Sequence, residues 1–402
     1  MIIGCVGKPS VGKSTFFKSA TLAEVEIASY PFTTIKPNEG MGFVKMKDAA
    51  LEFGKPSNPR DGFVLKDQRF IPVEMIDVAG LVPGAHKGEG MGNQFLDDLR
   101  QADVLIHVID ISGSINGKGE AVETGSYDPE QDILFLEEEL DHWYAGILKK
   151  GWDKFARQVQ QEHGDIKKSL AAQLSGLKVT IPLVEKVIKT LGLEDKIPTE
   201  WTEEELFKMS SELRKLTKPM IIACNKIDIS TGFDNYNRLR DKFPNLMIIP
   251  CSAESELALR EAAKHGLIDY VPGETSFTIT EKGESSLTDK QKTALEYIKK
   301  NILEKYPEGT GVQPILNAAV FDLLKYIAIH PGGVNKLEDK NGNVLPDCFL
   351  MPPGTTALDF AYRLHTDFGK NFIRAIDVKT KLTVGKEHPL NNGDILEIVS
   401  GK

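Results

Sequence analysis

Cysteine is scarce and scattered in this chain. Its 402 residues hold four, Cys5, Cys224, Cys251 and Cys348, and none has the paired spacing of a zinc site. Three of them close apolar runs, Ile-Ile-Gly-Cys5, Met-Ile-Ile-Ala-Cys224 and Leu-Met-Ile-Ile-Pro-Cys251. That placement predicts small buried hydrophobes at strand ends rather than redox centres, and a reducing compartment. Long hydrophobic runs are also missing. Nothing approaches the ~20 apolar residues that cross a bilayer, and the apolar start Met1–Val6 runs directly into a glycine motif instead of a cleavable leader. A soluble, cytoplasmic protein with no membrane partner is expected. Nor is there an excess of positive charge: the net charge is −9, which excludes a chain coated in positive potential and leaves no DNA partner evident. A local basic surface stays open. What remains is ordinary globular composition, 41% hydrophobic and 27% charged, over a length that suits two or three domains.

Short apolar runs alternate with helical patterns. Ile2–Val6, Ile71–Ile76, Val104–Asp110, Met220–Cys224 and Leu246–Pro250 read as strands, each ending in a polar or glycine-bearing turn. Continuous apolar strands separated by helices predict an α/β fold with a mostly parallel sheet covered on both faces. One crossover, Asp110 to Lys218, is far longer than a βαβ unit needs. Within it Pro129–Leu148, Trp152–Leu174, Pro182–Leu191 and Thr202–Leu216 read as helices, the last opened by the capping-box pair Thr202 and Glu205. This helical insertion, about 121–215, carries 19 acidic and 13 basic side chains, so it is either a solvated face or a place where a partner docks. Two further helical patterns, Thr288–Lys305 and Pro314–Leu324, precede a segment of short strands (Tyr326–Ile329, Cys348–Met351, Ala375–Asp377, Ile395–Val399) that predicts a separate small α/β domain. The expected division is 1–275, 276–324 as a helical linker, and 325–402.

Four motifs sit at strand ends. Gly7-Lys8-Pro9-Ser10-Val11-Gly12-Lys13-Ser14, followed by Thr15, satisfies G-x-x-x-x-G-K-[ST] after a strand and before a helix. Glycines at both ends let backbone N–H groups and the helix N-terminus face a phosphate. Lys13 then reaches the β- and γ-phosphates, and the Ser14 hydroxyl ligates Mg²⁺. Asp77-Val-Ala-Gly80 ends the next strand, placing Asp77 at the metal and the Gly80 N–H at a γ-phosphate. Asn225-Lys226-Ile-Asp228 has the chemistry to read guanine. Asp228 accepts from the ring N1–H and the exocyclic amine, Asn225 faces the opposite edge, and Lys226 lays its aliphatic stem along the base. Adenine offers neither donor, which would leave a desolvated carboxylate unpaired. Backbone N–H groups near Ser252 and Ala253 are expected at the base oxygen.

Tyr30-Pro-Phe-Thr-Thr-Ile35 lies between the phosphate loop and Asp77, where a switch loop with a metal-binding threonine is expected. With the long glycine-rich run Gly84–Leu96, these motifs together resemble the Obg/YchF group of translation-associated P-loop GTPases. The resemblance implies Thr34, rather than Thr33, as the second hydroxyl on Mg²⁺, and Lys13, Thr34 and Gly80 as the catalytic set. Pro353-Gly-Thr-Thr-Ala-Leu-Asp-Phe-Ala-Tyr-Arg-Leu-His365 and Leu390–Ile398 resemble a TGS domain, a β-grasp (ubiquitin-like) module. The implied protein is a switch that hydrolyses GTP to GDP, with the ribosome or structured RNA as partner. Two departures limit what is carried over. YchF proteins proper resemble ATPases because their base motif lacks the acidic residue present here as Asp228, and potassium-activated relatives hold asparagine where this loop has Ser10. Leu81 stands where many small GTPases place a water-orienting glutamine. Slow intrinsic hydrolysis or a partner-completed site is therefore expected, with His86 as an internal substitute. The competing readings are a YchF-type ATPase, and an RNA- or ribosome-binding adaptor in which nucleotide is mainly structural.

Overall fold

The computed structural model describes residues 1–22, 38–78 and 98–401. Within these the chain divides into two compact units, the first Met1–Phe17, Asn38–Gly40 and Met75–Glu254, the second Met41–Glu74 and Ser255–Lys402 with residues near Lys18.

The seven strands β1 (Ile2–Val6), β2 (Glu39–Lys47), β3 (Phe63–Leu65), β4 (Gln68–Asp77), β5 (Val104–Asp110), β6 (Met220–Asn225) and β7 (Met247–Pro250) form one sheet in the order β2-β4-β1-β5-β6-β7, with β3 on β4. The β1, β5, β6 and β7 set is parallel, with Ile3 opposite Val104, Leu105 opposite Met220 and Ile221 opposite Met247. Every residue of β5 and β6 is buried, which is why these strands read as unbroken apolar runs rather than alternating ones. Three parallel strands deliver Val6, Asp110 and Asn225 to the same edge, where an open α/β sheet places its ligands.

The long crossover folds as α2 (Glu130–Lys149), α3 (Trp152–Gln161), α4 (Ile166–Gln173), α5 (Ile181–Thr190) and α6 (Glu203–Thr217), after α1 (Lys13–Thr21). Leu136, Leu140 and Trp143 of α2 share its buried stripe, as do Leu206, Met209 and Leu213 of α6. The two helices are joined by Arg214 Nε to Asp141 at 2.7 Å and by the Tyr144 and Thr217 hydroxyls at 2.7 Å. Thr202 and Glu205 form the expected capping box. One expectation needs correction: Trp152–Leu174 is two helices. His163 takes a left-handed φ of 50°, and Asp165 caps the next helix through its side chain to Lys167 N. An aspartate that offers the backbone a local partner starts a helix more readily than it continues one. Trp152 instead stacks on Trp201, centroids 5.4 Å apart.

The first unit also holds α7 (Gly232–Lys242); α8 (Ala253–Lys264) leads from it into the second unit, which holds α9 (Glu281–Ser286), α10 (Asp289–Ile298), α11 (Val312–Asn317), α12 (Ala357–Leu364) and α13 (Thr366–Lys370). Thr288–Lys305 is helical only to Ile298, and then widens into a π turn over Lys299–Leu303. Strands β8 (Ile268–Tyr270) and β9 (Phe277–Ile279) pair as a hairpin. Strands β10 (Ile327–Pro331), β11 (Phe349–Met351), β12 (Phe372–Asp377), β13 (Thr383–Val384) and β14 (Ile395–Ser400) form a sheet ordered β11-β10-β14-β12-β13 around the parallel pair β10 and β14. Helix α12, capped by Thr356 and Asp359, buries Ala357 and Phe360 against Ile329, Ala375 and Leu396. This is the β-grasp arrangement.

In the same unit the β-grasp sheet meets residues 48–69. Ala49 and Ala50 pack with Val344, Leu345, Val378 and Ile395, and the buried Arg69 donates to Leu345 O at 2.6 Å and Pro346 O at 3.1 Å. Arg69→Ala removes the guanidinium donor of Leu345 O, leaves Pro346 O with Arg60 N alone at 2.9 Å, and opens a void between them. It should lower stability by about 3 kcal/mol, read as a fall in the urea midpoint at unchanged slope; a loss under about 1 kcal/mol would show that water replaces the guanidinium.

Among the described residues no helix is long and apolar enough to cross a membrane. Cys5, Cys224 and Cys251 are buried free thiols and Cys348 is half-buried. Burial pushes the Cys5 and Cys224 thiols far up and Cys348 to about 12, so these three stay protonated and inert.

Candidate nucleotide site

The phosphate loop turns out of β1 under tight steric limits. A Cβ on Gly7 would stand 2.5 Å from Val108 O, and one on Gly12, whose φ is +91°, would stand 2.2 Å from Asn225 Nδ2. Ser10 also takes a left-handed φ of 65°. The loop and the start of α1 line a cavity of ≈ 470 Å³ with Lys8, Pro9, Ser10, Gly12, Lys13, Ser14 and Thr15. Below it Lys13 Nζ pairs with Asp77 Oδ1, and Ser14 Oγ donates to Asp77 Oδ2 at 3.2 Å. A hydroxyl and a carboxylate side by side are hard oxygen donors of the kind Mg²⁺ takes in phosphate sites. The fit is good.

Asn225 is the junction of three motifs. Its Nδ2 donates to Val11 O at 2.8 Å and its Oδ1 accepts from Ala253 N at 3.0 Å. Phosphate loop, base loop and the loop after β7 are therefore fastened by one buried amide. These two bonds leave Asn225 a second amide hydrogen and a second lone pair for a base edge, while the Ala253 N–H already points to Asn225. Its neighbour Ser252 is buried at the same turn.

Lys226, in a left-handed φ of 64°, sends its ammonium to Asp110 Oδ2 at 2.9 Å. Lys8 is anchored as well. Its side chain is buried, donates to Asp132 Oδ1 at 2.8 Å and Ile115 O at 2.9 Å, and lies 3.9 Å over the Tyr127 ring. Only its backbone remains for phosphate. Asp228 is half-buried, and among the described residues its carboxylate has no hydrogen-bond or ion-pair partner. The anchoring carboxylates Asp110 and Asp132 were not foreseen from sequence; an acidic residue ending the otherwise apolar β5 and followed by Ser112 and Ser114 was the available signal. His107, wholly buried in β5, is pushed down to about 3 by burial and then by Lys8, so it is a neutral core residue. Thr34, Gly80, Leu81, His86, Tyr30–Ile35 and Gly84–Leu96 lie outside the described residues.

Three family descriptions match. Residues 2–140 match the 50S ribosome-binding GTPase family, 223–333 the Obg-like GTPase YGR210-like, G4 motif-containing domain, and 340–400 the TGS domain. The chain is 48% identical to a GTP-binding protein of Methanocaldococcus jannaschii over 99% of both chains. It is 30% identical to the ribosome-binding ATPase YchF of Escherichia coli O157:H7, covering 92% of this chain and 86% of that one. A crystal structure of a GTP-binding protein from Pyrococcus horikoshii OT3 superposes with a TM-score of 0.78 at 37% identity, covering 100% of each chain. The YchF GTPase of Schizosaccharomyces pombe, at 22% identity and TM-score 0.60 over 99% and 97%, shares the fold. With phosphate loop, Asp77, base loop and β-grasp module in this order, the chain belongs to the YchF-type branch of the Obg-like P-loop GTPases that carry a C-terminal TGS domain.

Proposed function

We propose that this protein binds GTP with Mg²⁺, hydrolyses it to GDP and phosphate, and acts as a nucleotide-dependent switch on the ribosome or its RNA. The observation that carries the guanine reading is Asp228, a half-buried carboxylate at the end of the base loop with no hydrogen-bond or ion-pair partner among the described residues. A desolvated acceptor pair of this kind is matched by the two adjacent donors of guanine and is left unmatched by adenine.

In this reading the backbone of Gly7–Thr15 cradles the phosphates and Lys13 exchanges Asp77 for the β- and γ-phosphates. Ser14, Asp77 and Thr34 hold Mg²⁺, which supplies charge neutralisation on the phosphate oxygens. The Gly80 N–H senses the γ-phosphate. Lys226 supports the base by its stem, and the turn at Ser252 and Ala253 closes around it. The proposed domains are 1–275, 276–324 and 325–402, in a cytoplasmic protein. Competition against labelled GTP tests the base: a hundredfold excess of ATP should leave GTP bound, and displacement by equimolar ATP overturns the assignment. The YchF relative named an ATPase supports the second reading, which that experiment decides. Turnover by the isolated chain should take minutes or longer, as for an unassisted small GTPase. Phosphate release at several per second would place a complete hydrolytic group within this chain. Ribosome cosedimentation with GTP analogue against GDP tests the partner.

A further inference from the structure

The segment between β5 and α2 touches both nucleotide loops at once. Asp110, fully buried at the end of β5, is its root. One carboxylate oxygen accepts from Ser112 N at 3.0 Å and Ser112 Oγ at 2.5 Å; the other accepts from Ser114 Oγ at 2.6 Å and Lys226 Nζ at 2.9 Å. Burial alone would raise this carboxyl, but the hydrogen bonds from Ser112, Ser114 and Lys226 outweigh it and hold Asp110 ionised. The backbone beyond it is fastened to the base-loop side: Ile111 N donates to Asn225 O at 3.0 Å, Ser112 O accepts from Thr231 Oγ1 at 2.7 Å, and Ile111 O accepts from Asn235 Nδ2 at 2.9 Å. Further along, Ile115 O and Asp132 take the Lys8 ammonium from the phosphate loop. A Cβ on Gly119 would stand 2.8 Å from Pro9 Cβ, so the segment lies directly against that loop.

We infer that Asp110 is the positioning residue for base recognition, and that residues 110–132 form a clasp in which Asp110 fixes Lys226 of the base loop while Asp132 fixes Lys8 of the phosphate loop. The inference rests on the guanine-nucleotide reading above. Lys226 has a long flexible stem whose rotamer freedom opposes a fixed position beside a base. The buried carboxylate removes that freedom before the nucleotide arrives, so affinity for the nucleoside part depends on Asp110 although Asp110 itself touches no ligand. The phosphate arm depends on the loop backbone, Lys13 and Ser14, none of which bonds to Asp110.

This separation makes the test. GDP, GTP and inorganic tripolyphosphate are titrated calorimetrically into the full chain and into Asp110→Asn, Lys226→Met, the double variant and Ser114→Ala. Asp110→Asn is expected to weaken GDP and GTP at least tenfold and to change tripolyphosphate less than twofold. The double variant should bind GDP no more weakly than the weaker single variant, because both changes release the same side chain. An equal loss of tripolyphosphate would make Asp110 a general support of the fold, and additive losses would show that it does not act through Lys226; either result overturns the inference. Should Asp110→Asn fail to fold, Ser114→Ala decides. It removes one donor from the oxygen that holds Lys226, so a threefold loss of GDP with unchanged tripolyphosphate supports the clasp and an unchanged GDP affinity rejects it. The wild-type GDP titration stands apart as the check on the guanine reading itself.

Discussion

Gly12→Ala should lower affinity for GDP and GTP at least a hundredfold. The new Cβ would lie 2.2 Å from Asn225 Nδ2, in a backbone conformation of φ +91° that alanine disfavours. Two costs combine. Left-handed strain of this kind is about 1–3 kcal/mol, and Asn225 must withdraw from Val11 O or Ala253 N, leaving buried partners unmet at about 1–3 kcal/mol each. The loop is also hemmed in at its other end, where Gly7 runs so close to β5 that a Cβ there would stand 2.5 Å from Val108 O. Titration with a fluorescent GDP analogue gives the affinity, and a thermal melt shows whether the sheet edge loosens as well. Retention of binding within threefold would mean that the loop and Asn225 separate freely, and that the three motifs are not held as one unit.

The second large effect concerns the base. Asp228→Asn should weaken GTP by at least about a hundredfold, since sites built to satisfy specific donors discriminate by several orders of magnitude when the pairing is broken. The same change should improve binding of xanthosine triphosphate. Xanthine carries an oxygen where guanine carries its amine, and the asparagine amide can donate to that oxygen while its carbonyl still accepts from N1–H. Parallel titrations with both nucleotides give the ratio. Unchanged GTP affinity with no gain for the xanthine nucleotide would remove Asp228 from base recognition and leave its unpartnered carboxylate without a role.

Elements defined by local pattern were legible in the sequence. The unbroken apolar runs of β1, β5 and β6 announce parallel strands, and the phosphate loop announces itself because its glycines answer a steric demand that no other residue meets. The capping pair Thr202 and Glu205 behaves as read, since both partners lie within one helical turn. What was not legible depends on residues brought together from afar. Lys8 stands inside the phosphate loop, and nothing near it in sequence reveals that Asp132 and Tyr127 take its charge. Asn225 and Ala253 are placed near the base by motif, and nothing local in the sequence shows that Asn225 also ties Val11 O to Ala253 N across three loops. β2, which mixes glycines and lysines among its apolar residues, has no clean period of two. The division at Lys325 likewise followed a change of composition. The packing of Ala49 and Ala50 on Leu345 and Ile395 ties the terminal sheet to residues it follows by nearly the whole chain.

That tie sets a schedule for folding during synthesis. The carbonyls that receive Arg69 belong to Leu345 and Pro346, 276 and 277 positions further on. At roughly 5–20 residues per second, β4 leaves the ribosome on the order of tens of seconds before those acceptors exist. Over that interval the Arg69 guanidinium and the alanines of residues 49–50 lack these carbonyls and the side chains that cover them, while the parallel strands β1, β5, β6 and β7 acquire their partners progressively. The outer strands of the N-terminal sheet are thus emitted early and completed last.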